Sequence, residues 1–152
     1  MHTLSIRQPY ASAIVAGVKT VENRAWSPPT KCVGEDLLIH ASTHRQFIDD
    51  PVVMRSIRAA WPECPVDFPL GGIVGVVRVV GSKNLAGTPQ DIWACGPICW
   101  VLDAPQAVEF IKVRGRLGVF QVEVPPEVCR LLQRRQPHRL VGGSGFALPV
   151  KF

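Results

Sequence analysis

The chain has 152 residues and a mass of 16.7 kDa, so residues 1–152 are predicted to form a single domain. Hydrophobic residues make up 47% of the sequence, which excludes an intrinsically disordered chain. The formal net charge of +5 is concentrated in residues 112–139, where seven Lys and Arg residues stand against two Glu residues. Such a basic segment is typical of a polyanion-binding protein, and a solvated helix face beside a charged hairpin is the alternative interpretation.

No secretory signal or membrane-spanning segment is predicted. The first seven residues hold no long apolar run, and the longest apolar stretch, 71–80, is interrupted by Arg78 and is too short to cross a bilayer. The five cysteines do not pair evenly. We therefore expect a reducing, cytoplasmic location and no membrane partner.

Hydrophobic periodicity and turn residues predict short strands with about three helices. In chain order, the pattern predicts a strand at 2–7, a helix at 8–16, strands at 20–26 and 36–42, a helix in two pieces at 43–61, strands at 71–82, 98–102, 108–111 and 119–124, a basic helix at about 125–136, and a short strand at 145–150. These elements do not alternate regularly. The prediction is therefore an α+β fold, a mixed or antiparallel curved sheet or small barrel with flanking helices.

Three predicted strands near the amino terminus each have one polar face. In chain order these faces hold Ser5 and Arg7, then Glu22 and Arg24, then His40 and Ser42. If the apolar faces pack together, the six polar side chains can converge on one cleft. Lys19 precedes the second strand, but period-two alternation places it on the face opposite Glu22, so its convergence requires a bulge or a turn. Surface salt bridges are the alternative interpretation of these charges.

No metal ion or other cofactor is expected. His40 and His44 are four residues apart, but they lie across a predicted strand end and helix start, and no third ligand has a suitable spacing. Cys95 and Cys99 are separated by three residues, which is neither the redox nor the zinc-ribbon spacing. Any hydrolytic activity is therefore predicted to be independent of metals.

Two further groups of residues are candidates for contacts with nucleic acid. Trp26 shares a predicted face with Glu22 and is the preferred residue for stacking on a base, whereas Trp100 lies between apolar neighbours and is predicted to pack in the core. Arg134 and Arg135 on the basic helix are the candidates for contacts with phosphates.

Three segments carry a long pattern: a Gln-Pro-aromatic helix start within 4–11, Gly-x-Lys-Thr-x-Glu-x-Arg within 17–26, and Ile-His-Ala-Ser within 38–42. This pattern resembles the ASCH domain family, and segments 100–102 and 115–120 resemble that family's closing strands. The resemblance covers most of residues 3–124. It implies a PUA-like β-barrel related to RNA-binding domains, with a cleft near the Gly-x-Lys turn.

The resemblance implies a protein that binds RNA or a nucleotide in a basic cleft, with DNA as an alternative partner. Whether the protein also hydrolyses its ligand, as ribonuclease-like members do, stays open. The implied ligand-binding residues are Ser5, Arg7, Gln8, Lys19, Arg24, Trp26, His40 and Ser42, and the implied catalytic residues are Lys19 and Glu22.

Two other functions stay open. One is an amidohydrolase acting on N4-acetylcytidine or a related modified nucleoside, and the other is a non-catalytic binding module of the coregulator type. Lys19 matches the lysine base of the amidohydrolase branch, and Glu22 stands where that branch has its nucleophilic threonine. In this respect the chain is more similar to the longer coactivator-type or ribonuclease-like members.

Overall fold

The computed structural model describes residues 1–85 and 92–135. Within these ranges the chain forms six strands, three α-helices and one short 3-10 helix. The strands are β1 (His2–Ile6), β2 (Val21–Arg24), β3 (Asp36–Ala41), β4 (Gly72–Asn84), β5 (Ile98–Lys112) and β6 (Val119–Gln121). The helices are α1 (Tyr10–Val15), α2 (Pro51–Ala60) and α3 (Pro126–Arg134), and the 3-10 helix covers Thr30–Cys32.

The six described strands form one sheet in the order β2-β5-β4-β3-β1-β6. β1 runs parallel to β3, and every other neighbouring pair in this sheet is antiparallel. Register shifts interrupt the β3–β4 and β4–β5 ladders, and such irregularities increase the local twist and bend the sheet. The result is a curled half-barrel. The predicted α+β fold with a mixed, curved sheet is therefore confirmed.

Strand β5 shows that the prediction of two separate strands at 98–102 and 108–111 is wrong. The residues between them stay in the strand, and β5 pairs with β4 along its length through three register shifts. Ala104 has a positive φ of 46°, which places the irregular backbone at the start of this stretch. Because β4 offers 13 residues of backbone donors and acceptors, β5 resumes its pairing beyond the irregularity.

Helix α2 is shorter than the predicted helix at 43–61. Its first predicted piece forms turns, and the helix begins at Pro51. The Asp50 carboxylate accepts hydrogen bonds from the backbone N–H groups of Val52 and Val53 at 2.8 and 3.2 Å. These N–H groups have no partner within the helix, so the carboxylate fixes its first turn. The predicted strand at 145–150 lies outside the described residues.

Apolar clusters lie on both faces of the sheet. One contains Ile14 of α1 with residues of β1, β3, β4 and β5. The other contains Leu38 from the opposite face of β3, and the fully buried Val128 brings α3 against it. Leu131 and Leu132 pack on the same cluster, so the apolar stripe predicted for the basic helix is confirmed. None of the helices in the described ranges has the length and apolar character needed to cross a membrane.

Candidate ligand-binding site

A cavity of about 1160 Å³ opens at the carboxyl ends of the parallel strands β1 and β3. Strand β2 and the segment that follows β5 form two of its other walls. The lining residues are Ser5, Ile6, Arg7, Tyr10, Lys19, Glu22, Asn23, Arg24, His40, Ser42, Thr43, His44, Phe47, Leu70, Gly71, Ile92, Cys95, Lys112, Val113, Arg114, Gly115, Arg116 and Leu117.

Seven of the residues predicted to bind a ligand or to act in catalysis lie at this cavity. They are Ser5, Arg7, Lys19, Glu22, Arg24, His40 and Ser42. The parallel register of β1 and β3 places Ser5 opposite His40. Lys19 reaches the same cavity because β2 begins only at Val21, so Lys19 lies in the preceding turn, where period-two alternation does not apply. The three polar faces therefore converge, with Lys19 among them.

Gln8 lies outside this cavity, although it was a candidate for ligand binding. Its side chain is fully buried. The Gln8 Nε2 donates to the Pro69 carbonyl and its Oε1 accepts from the Ser12 N–H, both at 3.0 Å. The amide thus joins the start of α1 to the loop before β4, and its hydrogen-bonding groups are used within the fold.

Trp26, the preferred stacking residue, also lies away from the cavity lining. Its ring packs edge to face on Trp100, with 4.8 Å between centroids, and its carbonyl accepts a 2.8 Å hydrogen bond from the Trp100 indole. Trp100 is fully buried, as predicted from its apolar neighbours. The tryptophan pair therefore supports β2 and β5 rather than the cavity.

Glu22 lies between two cationic side chains. Its Oε2 is 3.4 Å from the Lys19 Nζ, and its Oε1 is 3.1 Å from the Arg24 Nε. The Lys19 side chain is only 2% exposed, and its ammonium also donates to the Val21 carbonyl. The Arg24 Nη2 donates to the Ser5 carbonyl at 2.9 Å. Two acceptors thus engage an ammonium that has three N–H donors, and both cations are held at fixed positions.

His40 is 1% exposed and both of its ring nitrogens have partners. Its Nε2 lies 2.8 Å from the Val113 carbonyl, which can only accept, so Nε2 carries the proton of the neutral ring. Its Nδ1 is then an acceptor and lies 3.0 Å from the Ser5 Oγ, whose hydroxyl donates to it. These two bonds tie the segment after β5 to β1 and β3.

Gly115 allows that segment to approach the sheet closely. A Cβ atom at this position would lie 2.6 Å from the His40 Cε1 and 2.9 Å from the Ser5 Oγ, both shorter than normal contacts. A side chain at position 115 would therefore cover the Ser5–His40 pair or displace the segment. Glycine leaves the pair open to the cavity.

The cavity lining is strongly basic. Six Lys and Arg side chains border it, and Glu22 is the one acidic side chain in the described lining. The six are Arg7, Lys19, Arg24, Lys112, Arg114 and Arg116. The last three were part of the basic segment noted in the sequence, but nothing local to them indicated that they border the cavity. Like charges around a concave surface focus the potential, so this cavity favours an anionic ligand.

Tyr10 and Phe47 give the cavity an aromatic wall that sequence analysis did not identify. Their rings meet edge to face, with 5.3 Å between centroids. The Lys19 Nζ lies 5.9 Å from the Tyr10 ring centre, and the Arg7 guanidinium lies 5.8 Å from that of Phe47. Burial raises the pKa of the Tyr10 phenol, which therefore stays neutral near neutral pH. The aromatic residue of the Gln-Pro-aromatic helix start was the available signal for Tyr10.

A second basic groove, of about 390 Å³, lies on α3 and includes Arg130, Arg134 and Arg135. The Arg135 guanidinium donates to the Ala104 carbonyl and lies 3.7 Å from the Asp36 carboxylate. Arg134, in contrast, is exposed. The two arginines predicted to contact phosphates therefore differ, since Arg135 is engaged in holding α3 against the sheet.

Among the described residues, no group of three or more His, Cys, Asp or Glu side chains is arranged to hold a metal ion. The functional groups in the described lining of the cavity are the six cations, one carboxylate, the hydroxyls, two histidines, the Asn23 amide and the Cys95 thiol.

Comparisons with known proteins identify the fold. The family model of the ASCH domain matches residues 4–93. The crystal structure of ASCH from Zymomonas mobilis has a TM-score of 0.54 and 14% identity, covering 87% of this chain and 93% of that chain. A tyrosine-to-phenylalanine mutant of the same bacterial protein has a TM-score of 0.51 and 14% identity, covering 87% of this chain and 96% of that chain. No curated protein matches the sequence.

Proposed function

The chain belongs to the ASCH domain family, which has a PUA-like, RNA-binding fold, and from this premise we propose that its basic cavity binds single-stranded RNA or a nucleotide. The observation that carries the proposal is the lining, where six Lys and Arg side chains surround a concave surface with a single carboxylate in its described part. Neutralisation of phosphates by such side chains supplies most of the sequence-independent affinity for nucleic acid.

The size of the cavity supports a ligand as large as a nucleotide or longer. Its volume of about 1160 Å³ exceeds the range of roughly 300–1,000 Å³ that is usual for small-molecule pockets. The exposed Arg7, Arg114 and Arg116 are placed to contact phosphates. The rings of Tyr10 and Phe47 offer an apolar wall for a nucleobase.

Lys19 acts in this proposal as a clamp for an anion rather than as a base. Glu22 lies 3.4 Å from its ammonium, and the Val21 carbonyl accepts a second hydrogen bond. Both contacts engage N–H donors of the Lys19 ammonium, and an ammonium that donates to its neighbours is suited to holding an anion. Glu22 also occupies the position at which the amidohydrolase branch has its nucleophile, which supports binding over deacylation at Lys19.

Fluorescence anisotropy with a short fluorescein-labelled oligouridylate tests the proposal. We expect the affinity to fall steeply with salt, with a slope of roughly −0.7 per contacted phosphate on a log–log plot. The double variant Arg114→Ala, Arg116→Ala should flatten that slope by about 1.4 and weaken binding by about tenfold.

The matched control is the double variant Arg55→Ala, Arg58→Ala, which removes the same charge from exposed positions on α2 outside the cavity. It should bind almost as tightly as the unmodified protein. Absence of binding to the oligouridylate and to uridine monophosphate, or an equal loss in both double variants, would overturn the proposal. An oligodeoxythymidylate in parallel shows whether the ribose 2′-hydroxyl contributes to recognition.

A further inference from the structure

The contact between Ser5 and His40 has a geometry that binding of a polyanion does not require. We propose that Ser5 is a nucleophile activated by His40, and that the cavity hydrolyses a carboxylic ester carried by an anionic molecule. The preference for an anionic ester rests on the proposed function, because it comes from the same basic lining, whereas the reactivity of Ser5 rests on the pair alone.

Three groups form the arrangement that activates a hydroxyl. Ser5 is the nucleophile, His40 is a base within hydrogen-bond distance, and the Val113 carbonyl orients the base. The Ser5 Oγ lies 3.0 Å from the His40 Nδ1, and the His40 Nε2 donates to the Val113 carbonyl at 2.8 Å. Since the carbonyl holds the proton on Nε2, the lone pair of Nδ1 is directed at the Ser5 hydroxyl. The imidazole is thus fixed as an acceptor for the serine proton.

The nucleophile is accessible while its base is protected. Ser5 is half-buried and lines the cavity, whereas His40 is 1% exposed and lies behind it. Gly115 is the residue directly in front of the pair, with no side chain to cover it. A substrate can therefore reach the Ser5 Oγ from the cavity, and bulk water has little access to the imidazole.

The charges beside Ser5 suit the negative charge that develops during acyl transfer. The Arg24 Nη2 donates to the Ser5 backbone carbonyl at 2.9 Å, so a guanidinium is held beside the backbone of this residue. Lys19 and Arg114 line the same cavity. Fixed positive groups of this kind stabilise an oxyanion without having to reorganise.

Ser42 provides an internal comparison within the same cavity. Its Oγ is buried and has no hydrogen-bond partner among the described residues. A hydroxyl without a neighbouring base is a weak nucleophile. The inference therefore assigns reactivity to Ser5 and not to Ser42.

The reaction proceeds in two balanced steps. The Ser5 Oγ attacks the ester carbonyl and its proton moves to the His40 Nδ1; the ester C–O bond then breaks, and the alcohol leaves with that proton. Water next attacks the acyl-serine, gives a proton to Nδ1, and the carboxylic acid leaves as the Ser5 oxygen recovers its proton. The sum is ester plus water to acid plus alcohol, without oxidation or reduction.

Labelling with a fluorophosphonate probe tests the nucleophile without knowledge of the natural ester. The Ser5 oxygen displaces fluoride from phosphorus, and the expected product carries the phosphonyl group on the peptide that contains Ser5 and not on the one that contains Ser42. Ser5→Ala should abolish labelling, and His40→Gln should slow it by about 100-fold.

Gly115→Ala tests access while keeping both Ser5 and His40, because a Cβ atom at position 115 would lie 2.6 Å from the His40 Cε1 and 2.9 Å from the Ser5 Oγ. It should slow labelling by about tenfold or more, whereas Gly81→Ala, where a Cβ meets nothing within 4 Å, should not. This variant keeps the inference testable if His40→Gln does not fold. No labelling of the unmodified protein, or labelling that persists in Ser5→Ala, would overturn the inference.

Turnover separates the substrate class from the nucleophile. We expect faster hydrolysis of mono(4-nitrophenyl) succinate, which is anionic, than of neutral 4-nitrophenyl acetate, and a loss of that preference at high salt. If Ser5→Ala hydrolysed these esters as fast as the unmodified protein does, that result would contradict catalysis by Ser5. Binding measurements on the same preparation distinguish the proposals. Labelling without binding of either oligouridylate or uridine monophosphate contradicts the proposed function, and binding of either without labelling contradicts this inference.

Discussion

The cavity and helix α3 are both rich in arginine, but the fold uses their charges differently. At the cavity, Lys19 and Arg24 are held on either side of the Glu22 carboxylate, on a concave surface. On α3, Arg134 is exposed. Arg135, which follows α3, lies 3.7 Å from the Asp36 carboxylate and donates to the Ala104 carbonyl. Charge density along the sequence therefore does not locate a cavity, because the same residue types line a concave surface, dock a helix or remain solvated according to their neighbours.

Removal of the carboxylate at Glu22 should have the largest effect and would show how strongly the cavity depends on its buried ion pairs. Glu22→Gln leaves the nearly buried Lys19 ammonium without its carboxylate partner, and breaking a buried pair in this way costs about 3–5 kcal/mol of unfolding free energy. Urea denaturation measures the loss. Asp49→Asn is the matched control, because it breaks the Arg45–Asp49 ion pair, whose two side chains are 58% and 56% exposed. Solvent screens such a pair, so this variant should lose much less unfolding free energy than Glu22→Gln. Equal losses of unfolding free energy in the two variants would show that the buried ion pair at Glu22 contributes no more than the exposed pair.

Substitution of Lys19 tests whether the buried cation clamps an anion or removes a proton. Lys19→Arg keeps the charge but cannot act as a base near neutral pH. A clamp therefore predicts oligouridylate affinity within about fivefold of the unmodified protein for Lys19→Arg, and about a tenfold loss for Lys19→Met. Product formation from N4-acetylcytidine is measured separately by chromatography. Deacetylation by the unmodified protein that disappears in Lys19→Arg, with ligand still bound, would show that Lys19 is a base.

The double variant Arg130→Ala, Arg134→Ala compares the two basic regions directly. Both residues lie outside the cavity, so we expect their removal to change the salt dependence of RNA binding less than removal of Arg114 and Arg116 does. Arg135 is left unchanged because its contacts support the docking of α3. If the salt dependence of RNA binding changed as much as it does in the Arg114→Ala, Arg116→Ala variant, the polyanion would be bound along α3 instead.

The pH dependence of Tyr10 is the smallest expected effect, and it reports on the burial of the cavity wall. Burial raises the pKa of this phenol, and Tyr10 is the one tyrosine in the chain, so ultraviolet absorbance of phenolate reports on it alone. The stability contributed by the neutral phenol is present below about pH 10 and is lost as the pH rises through the raised pKa of the folded state. The urea-unfolded protein should ionise at lower pH. Coincident titrations of folded and unfolded protein would contradict burial of the ring.

The patterns that sequence analysis interpreted correctly were local ones. Alternation within the first three predicted strands indicated which side chains share a face, and seven polar residues taken from those faces or from the turn before β2 meet at the cavity. The apolar stripe of α3 was equally clear, since helical spacing is a property of a few consecutive residues. The long ASCH motif identified the family from the first 42 residues, and the family model now matches residues 4–93.

Contacts between residues far apart in the chain decided the rest. The bond from His40 to the Val113 carbonyl joins residues 73 positions apart, and it brings the arginines at 114 and 116 to a cavity built by the amino-terminal strands. The amide of Gln8 is likewise used by Pro69, 61 positions away. The sequence by itself determined the fold family and the polar faces, because each depends on local spacing and side-chain type. Only the tertiary structure decided which charges line the cavity, because burial and hydrogen-bond partners depend on which distant segments pack together.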